Sequence, residues 1–268
     1  MSVRTSRIPI FALALGLLAA IQLPARAVSP GGHGAATDAG VVSVAVAADF
    51  IRTLQELNTA FVRTGGGRLL ISAGSTGKLY AQIRAGAPYD VLLAADTAIP
   101  RLLVRQGLGV AASRFTYARG RLALWSRSAQ RVDNKGLVLK YGKFRHLAIA
   151  DPKIAPYGAA ARAVLRHLGL WRTLQPRIVR GEDIGQTFQF AVSGNAGLAF
   201  VALAQLKDPA FAPGGSYWIV PQGLYAPIDQ QAVLLERARH DAAAVAFMKF
   251  LHSPAARAII RRYGYDVH

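Results

Sequence analysis

Apolar positions in this chain fall into short unbroken runs, each followed by residues at helical spacing. Val41 to Ala47 is a near-continuous apolar run suited to a strand buried on both faces, and Phe50, Ile51, Leu54, Leu57 and Phe61 then recur every three or four residues. Asp49 stands between them, where a helix N-cap belongs. The unit repeats twice: Arg68 to Ala73, the turn Gly74-Ser75-Thr76-Gly77 and Lys78 to Arg84; then Val91 to Ala95, Asp96 and Thr97 to Gln106. A second region opens with a strand at Arg121 to Trp125. Leu147 to Ala150 leads through Asp151 to Gly158 into a helix from Ala159 to His167, and Arg177 to Val179 leads through Gly181-Glu182-Asp183 into a helix near Ile184. Gly197 to Ala202 reads as another buried strand, and helices over Asp241 to His252 and Pro254 to Tyr263 close the chain. Strands alternating with helices predict an α/β fold, a mostly parallel sheet flanked by helices. Five or more such units fit two lobes better than one.

The first residues carry a different pattern. Arg4 and Arg7 precede an apolar stretch from Ile8 to Ala20, and Pro24-Ala25-Arg26-Ala27 is a small-x-small cleavage site, so residues 1–27 read as a secretory signal peptide cut after Ala27. The stretch falls short of the ~20 residues that a membrane span needs. Residues 28–40 are small, Gly-rich and read as a flexible leader. No later apolar run approaches spanning length, and the expected product is soluble and lies outside the cytoplasmic membrane.

Composition narrows the classes. With 268 residues, 52% hydrophobic, 17% charged and no cysteine, the chain is neither disordered nor disulfide-stapled nor Cys-ligated to a metal. Its formal charge of +18 raises nucleic acid as a partner. Removing Arg4, Arg7 and Arg26 leaves 29 basic against 14 acidic residues, and after residue 27 no basic run exceeds the pair Arg261-Arg262. Nucleic-acid binders concentrate basic residues on one helix or arm, often between stacking aromatics. Here they are scattered, which predicts no nucleic-acid partner and at most a diffuse field that attracts small anions.

Several catalytic chemistries are missing. The six histidines show no HxxxH or HExxH spacing. Gly74 to Leu79 lacks the glycine spacer and the hydroxyl after Lys78 of a phosphate-binding loop, and it is not the GxSxG of a serine hydrolase. What remains is a set of strand-to-helix junctions rich in small or hydroxylated residues. A helix N-terminus presents unpaired N–H groups and partial positive charge, so several converging on one cleft can hold a dehydrated anion without Lys or Arg. In an open α/β sheet such junctions lie at the carboxyl ends of the strands, where ligands bind. Four are candidates: Ala47-Ala48-Asp49, Ser75-Thr76, Pro156-Tyr157-Gly158 and Asp183-Ile184.

The segments VAVAADF, SAGSTGKLYAQIRAGAPYDVLLAAD, SRFTYARGRLALWS, LAIADPKIAPYGAAARAVLRHLGLW, GEDIGQ, GLAFVALAQ and RRYGYDV, in this order, resemble the periplasmic molybdate-binding proteins of molybdate ABC importers. The likeness spans nearly all of residues 41–268. It implies a two-lobed periplasmic-binding-protein fold of type II, with residues 41–118 and 230–268 in one lobe, 119–229 in the other, and two hinge crossings near Tyr117 to Gly120 and Pro227 to Gln231. It further implies a monomer that captures molybdate or tungstate between its lobes, through hydroxyls and backbone N–H groups, and delivers it to a membrane-embedded ABC permease. Neither catalysis nor a cofactor is implied. Position by position, the resemblance assigns the ligand to Ala48 and Asp49, to Ser75 and Thr76, to Tyr157 and to the N–H of Ile184. A Tyr that one branch of the family carries after a later strand is here Ala202.

Asp49 departs from the family, which has Ser, or Thr followed by Asn, at this junction. An ionised carboxylate a few ångström from a dianion is repelled by about 4 kcal/mol per pair of unit charges at an effective dielectric near 20. Two readings follow: Asp49 caps the helix that starts at Phe50, with its side chain turned to its own backbone, or it is protonated, or shares a proton with the ligand. The second would favour a protonated oxyanion, such as hydrogen phosphate, hydrogen arsenate or hydrogen molybdate, or an acidic compartment. Two other functions compete with importer delivery. One is a sensing module on the same fold; the other, a periplasmic hydrolase or transferase for phosphate or sulfate esters, has no visible base, nucleophile pair or metal cluster.

Overall fold

The structure is a computed structural model that describes residues 40–211 and 214–267. The signal peptide, its cleavage site and all but the end of the leader lie outside the described residues. In chain order the elements are β1 (Val41–Ala47), α1 (Ile51–Arg63), β2 (Arg68–Gly74), α2 (Thr76–Arg84), β3 (Val91–Ala94), α3 (Ala98–Arg105), β4 (Phe115–Gly120), β5 (Leu122–Ser126), α4 (Val138–Tyr141), β6 (Leu147–Ala150), α5 (Pro156–His167), α6 (Trp171–Leu174), β7 (Ile178–Gly181), α7 (Ile184–Val192), β8 (Leu198–Ala202), α8 (Leu203–Leu206), β9 (Ser216–Ile219), β10 (Ile228–Leu234), α9 (Ala242–Phe250) and α10 (Pro254–Arg262).

Two five-stranded sheets result, ordered β2-β1-β3-β10-β4 and β7-β6-β8-β5-β9. In the first, β1 runs parallel to β2 and β3, while β10 is antiparallel to β3 and β4. In the second, β6 is parallel to β7 and β8, while β5 is antiparallel to β8 and β9. Each sheet is thus a parallel βαβ core extended by antiparallel strands. The chain passes from the first sheet to the second at Arg121, between β4 and β5, and returns between β9 and β10.

The apolar runs explain the layers. Alternate residues of a strand face opposite sides, so Val42, Val44 and Val46 pack against Leu54 and Leu57 of α1 and Phe247 of α9, all fully buried. Ala45, on the other face, packs with Leu79 of α2 and Leu103 of α3. The second sheet repeats the scheme. Leu147, Ile149, Leu198 and Phe200 face Val164 and Leu165 of α5, whereas Trp125, Ala199 and Val201 face Phe188 and Ala191 of α7. Both lobes are therefore helix–sheet–helix layers.

Three local starts differ from the sequence reading. Helix α2 begins at Thr76 and α5 at Pro156, each earlier than the apolar spacing suggests; proline at the first helical turn presets its own φ and wastes no donor. The third difference concerns Asp49. A short 3₁₀ turn over Ala48–Phe50 precedes α1, and the Asp49 side chain caps neither the turn nor the helix. The expectation that Asp49 is the N-cap of a helix starting at Phe50 is thereby corrected. Drawn into the tight turn, its carboxylate meets side-chain donors from distant parts of the chain, and those hold it.

Candidate functional site

The four junctions come together. Ala47, Ala48, Asp49, Gly74, Ser75, Thr76, Ala95, Ala155, Pro156, Tyr157, Asp183 and Ile184 line one small cavity between the sheets. All six residues singled out from the sequence are therefore at one place, and no Lys or Arg lines it. The space is narrow, about 10 Å³, room for about one water.

Backbone donors point into this region because the helices are left uncapped. At the starts of the Ala48 turn, of α2 and of α5 no side chain accepts a backbone N–H. Ser75 sits at the N-cap of α2 with extended backbone (φ −69°, ψ 147°), where serine normally accepts from the second or third helical N–H. Its Oγ instead is buried without a hydrogen-bond partner. Thr76 Oγ1 accepts from the Ala95 N–H at 3.0 Å, which leaves the hydroxyl hydrogen to donate. At α7, Asp183 caps only the Gln186 N–H, at 2.9 Å, so Ile184 and Gly185 keep the uncapped donors of that first turn. Gln205, unsuspected from the sequence, steadies this end: its Nε2 donates to the Ile184 carbonyl at 3.0 Å and its Oε1 accepts from the Ala202 N–H at 3.0 Å. Ala202 is thus a buried strand end and offers no side-chain donor.

Two carboxylates line the wall, those of Asp49 and Asp183, and Asp49 is the buried one, at 4% exposure. Its Oδ2 accepts from Gln230 Nε2 at 2.5 Å, Tyr265 Oη at 3.0 Å and Tyr157 Oη at 3.1 Å. Tyr117 donates to Gln230 Oε1 at 2.8 Å and so turns the Gln230 amide nitrogen toward the carboxylate. Oδ1 is buried without a partner. Burial raises the carboxyl to about 6, against the pull of the three donors. The same burial, with the Asp49 charge, pushes Tyr157 and Tyr265 well above the usual tyrosine value, so both stay protonated donors. The Tyr157 hydroxyl is committed to Asp49, and what it leaves toward the cavity is its backbone N–H in the first turn of α5. Sequence reasoning missed Gln230, Tyr265 and Tyr117. A weak signal existed for the first, since Gln230-Gln231 stands directly before the apolar run Ala232 to Leu234, which continues the same strand.

Two further contacts cross between the lobes. The Gly77 N–H donates to the Ile154 carbonyl at 2.9 Å, and a Cβ on Gly77 would sit 3.0 Å from Ile154 atoms, so a larger residue would push the two segments slightly apart. Lys78 pairs with Glu182 at 2.6 Å with both side chains about half exposed, an ion pair of small energetic weight. Among the described residues no group of three or more His, Asp or Glu could hold a metal ion, and no helix is long and apolar enough to cross a membrane.

Comparison with known proteins places this architecture. The family model "Bacterial extracellular solute-binding protein" matches residues 42–266. The molybdate-binding protein ModA of Rhodobacter capsulatus is 46% identical over 254 residues, which cover 95% of this chain and 94% of that protein. ModA of Azotobacter vinelandii is 46% identical over 232 residues, covering 87% and 92%. The solved periplasmic molybdate-binding protein of Azotobacter vinelandii superposes with a TM-score of 0.82 at 44% identity, over 85% of this chain and 99% of that one. These relatives are binding proteins, not enzymes. The chain belongs to the bacterial extracellular solute-binding proteins, among the relatives of the molybdate-binding protein ModA.

Proposed function

We propose that this protein captures a tetrahedral oxyanion, molybdate or tungstate, between its two lobes in the periplasm and delivers it to a membrane-embedded ABC permease, acting as a monomer after cleavage behind Ala27 and needing no cofactor. The observation that carries the reading is the meeting of four helix starts on one enclosed space without a cationic side chain. Each uncapped terminus contributes about 0.3–1 kcal/mol toward an anion, more when buried. The backbone N–H groups of Ala48, Thr76, Tyr157 and Ile184, and the hydroxyls of Ser75 and Thr76, are the donors for the oxyanion's four oxygens. The present spacing holds about one water, so a larger ion requires the lobes to part at the two crossings, and it then holds them by its differential affinity for the closed form. The names of the relatives at 46% identity support molybdate as the ion.

A thermal-shift series with molybdate, tungstate, sulfate and phosphate, run beside a chromogenic phosphate- and sulfate-ester assay, tests this. Molybdate and tungstate should raise the melting temperature by roughly 10 °C at about 1,000-fold excess over Kd, with sulfate and phosphate far weaker and no ester turned over. Absence of any oxyanion-dependent shift, or turnover without one, overturns the proposal.

A further inference from the structure

Asp49 presents its two carboxylate oxygens to different surroundings. Oδ2 accepts from Tyr157 of α5 and Gln230 of β10, and it shares the single hydroxyl hydrogen of Tyr265, in the segment after α10, with the Asp49 carbonyl oxygen 2.9 Å from that hydroxyl. Oδ1 is buried without a partner on a residue that lines the cavity, as is the Oγ of Ser75. An oxygen that already accepts two full hydrogen bonds and part of a third is a poor place for a proton, whereas Oδ1 is free to take one and then becomes a donor. Ionised, the same oxygen would face a dianion with no cationic side chain between them.

We propose that Asp49 carries a proton on Oδ1 when the oxyanion is bound and donates it to a ligand oxygen, so that each dianion is captured together with one proton from solvent. This rests on the oxyanion reading above and adds a role for the buried carboxylate on the cavity wall. The balance is simple: water or buffer supplies the proton, one O–H bond forms on Asp49, and release of the ion returns the proton. The surroundings agree from every side. Tyr117 on β4 and the three Oδ2 donors are neutral, Asp183 at the start of α7 is a second carboxylate on the cavity wall, and Asp96 lies beyond Tyr117. The nearest cation in the adjoining cleft, Arg52, is paired with Asp208 at 2.9 Å. No positive group therefore offsets an ionised Asp49. Burial already holds its carboxyl near 6 in the empty protein, and an approaching dianion moves it further up, through the neutral range.

Calorimetric titration with molybdate and with tungstate, at about pH 6, 7 and 8.5 in pairs of buffers of different ionisation enthalpy, reads the proton directly. The expected result is uptake of about one proton per ion at the upper pH and an affinity that falls about tenfold per unit above about pH 7. Asp49→Asn, which keeps an acceptor for Tyr157 and Tyr265, should bind at least as tightly at high pH, with neither proton uptake nor pH slope. Tight binding by the native protein without proton uptake, or an identical slope in Asp49→Asn, overturns this inference alone. No binding of either ion by the native protein overturns it together with the oxyanion reading. Should the variant not fold, the buffer pairs on the native protein decide the matter alone.

Discussion

At the scale of residues, Asp49 is a conflict between folding and ligand that the protein maintains. A carboxyl raised from 3.8 to about 6 costs the fold about 3 kcal/mol once ionised. Because the folded state holds this proton more tightly than the unfolded one, the contribution of Asp49 to stability is most favourable below about pH 4, declines as pH rises through about 6, and is flat above. Asp49→Asn without ligand should therefore raise the melting temperature by several degrees at about pH 8 and by little at about pH 4, as thermal melts at the two pH values will show; equal shifts at both would mean that no charge is buried there. The anomaly itself was legible in the sequence, because an acid stands in a junction otherwise made of small neutral residues. Its environment was not. The three donors on Oδ2 lie 108, 181 and 216 positions away along the chain, and nothing in local spacing connects them.

Among elements, the decisive fact is that three of the four helix starts have no side-chain cap, two because alanine stands at the N-cap and one although serine does. Ser75 has the backbone of an N-cap yet accepts nothing, which reserves donors that ordinary helices satisfy for themselves. The close approach of α2 to the loop before α5 depends on Gly77. Gly77→Ala should keep the fold, since the position is the second residue of a helix where alanine is favourable, but should weaken oxyanion affinity about tenfold by holding the lobes apart; unchanged affinity in a titration would show that the loop yields instead. Most parallel βαβ units could be read from runs such as Val91 to Ala94, where strand and helix periods are clean. β4, β9 and β10 could not. Their residues mix polar and apolar types, as in Phe115–Gly120, because these strands run to the crossings and one of them, β10, holds the buried Gln230 for the site rather than for the core.

For the whole molecule, the basic excess and the site are separate features. The cavity lining has no Lys or Arg, so the scattered positive charge acts at a distance, by raising the local concentration of small anions. Stopped-flow binding should show an association rate that falls several-fold as salt rises from about 20 mM to about 500 mM, with a dissociation rate nearly constant; a salt-dependent dissociation rate would place a cation at the ion after all.

Taken by itself, the sequence determined the α/β class, the four strand-to-helix junctions and the membership of its family, because strand and helix periodicity, small residues at turns and long shared segments are local properties. Tertiary structure alone decided that the junctions meet, that their N–H groups stay uncapped, and that Asp49 is held by Tyr157, Gln230 and Tyr265 with one oxygen left over. Those are matters of which distant groups become neighbours once two sheets close on each other, and in a buried site it is the neighbours that set hydrogen bonding and charge.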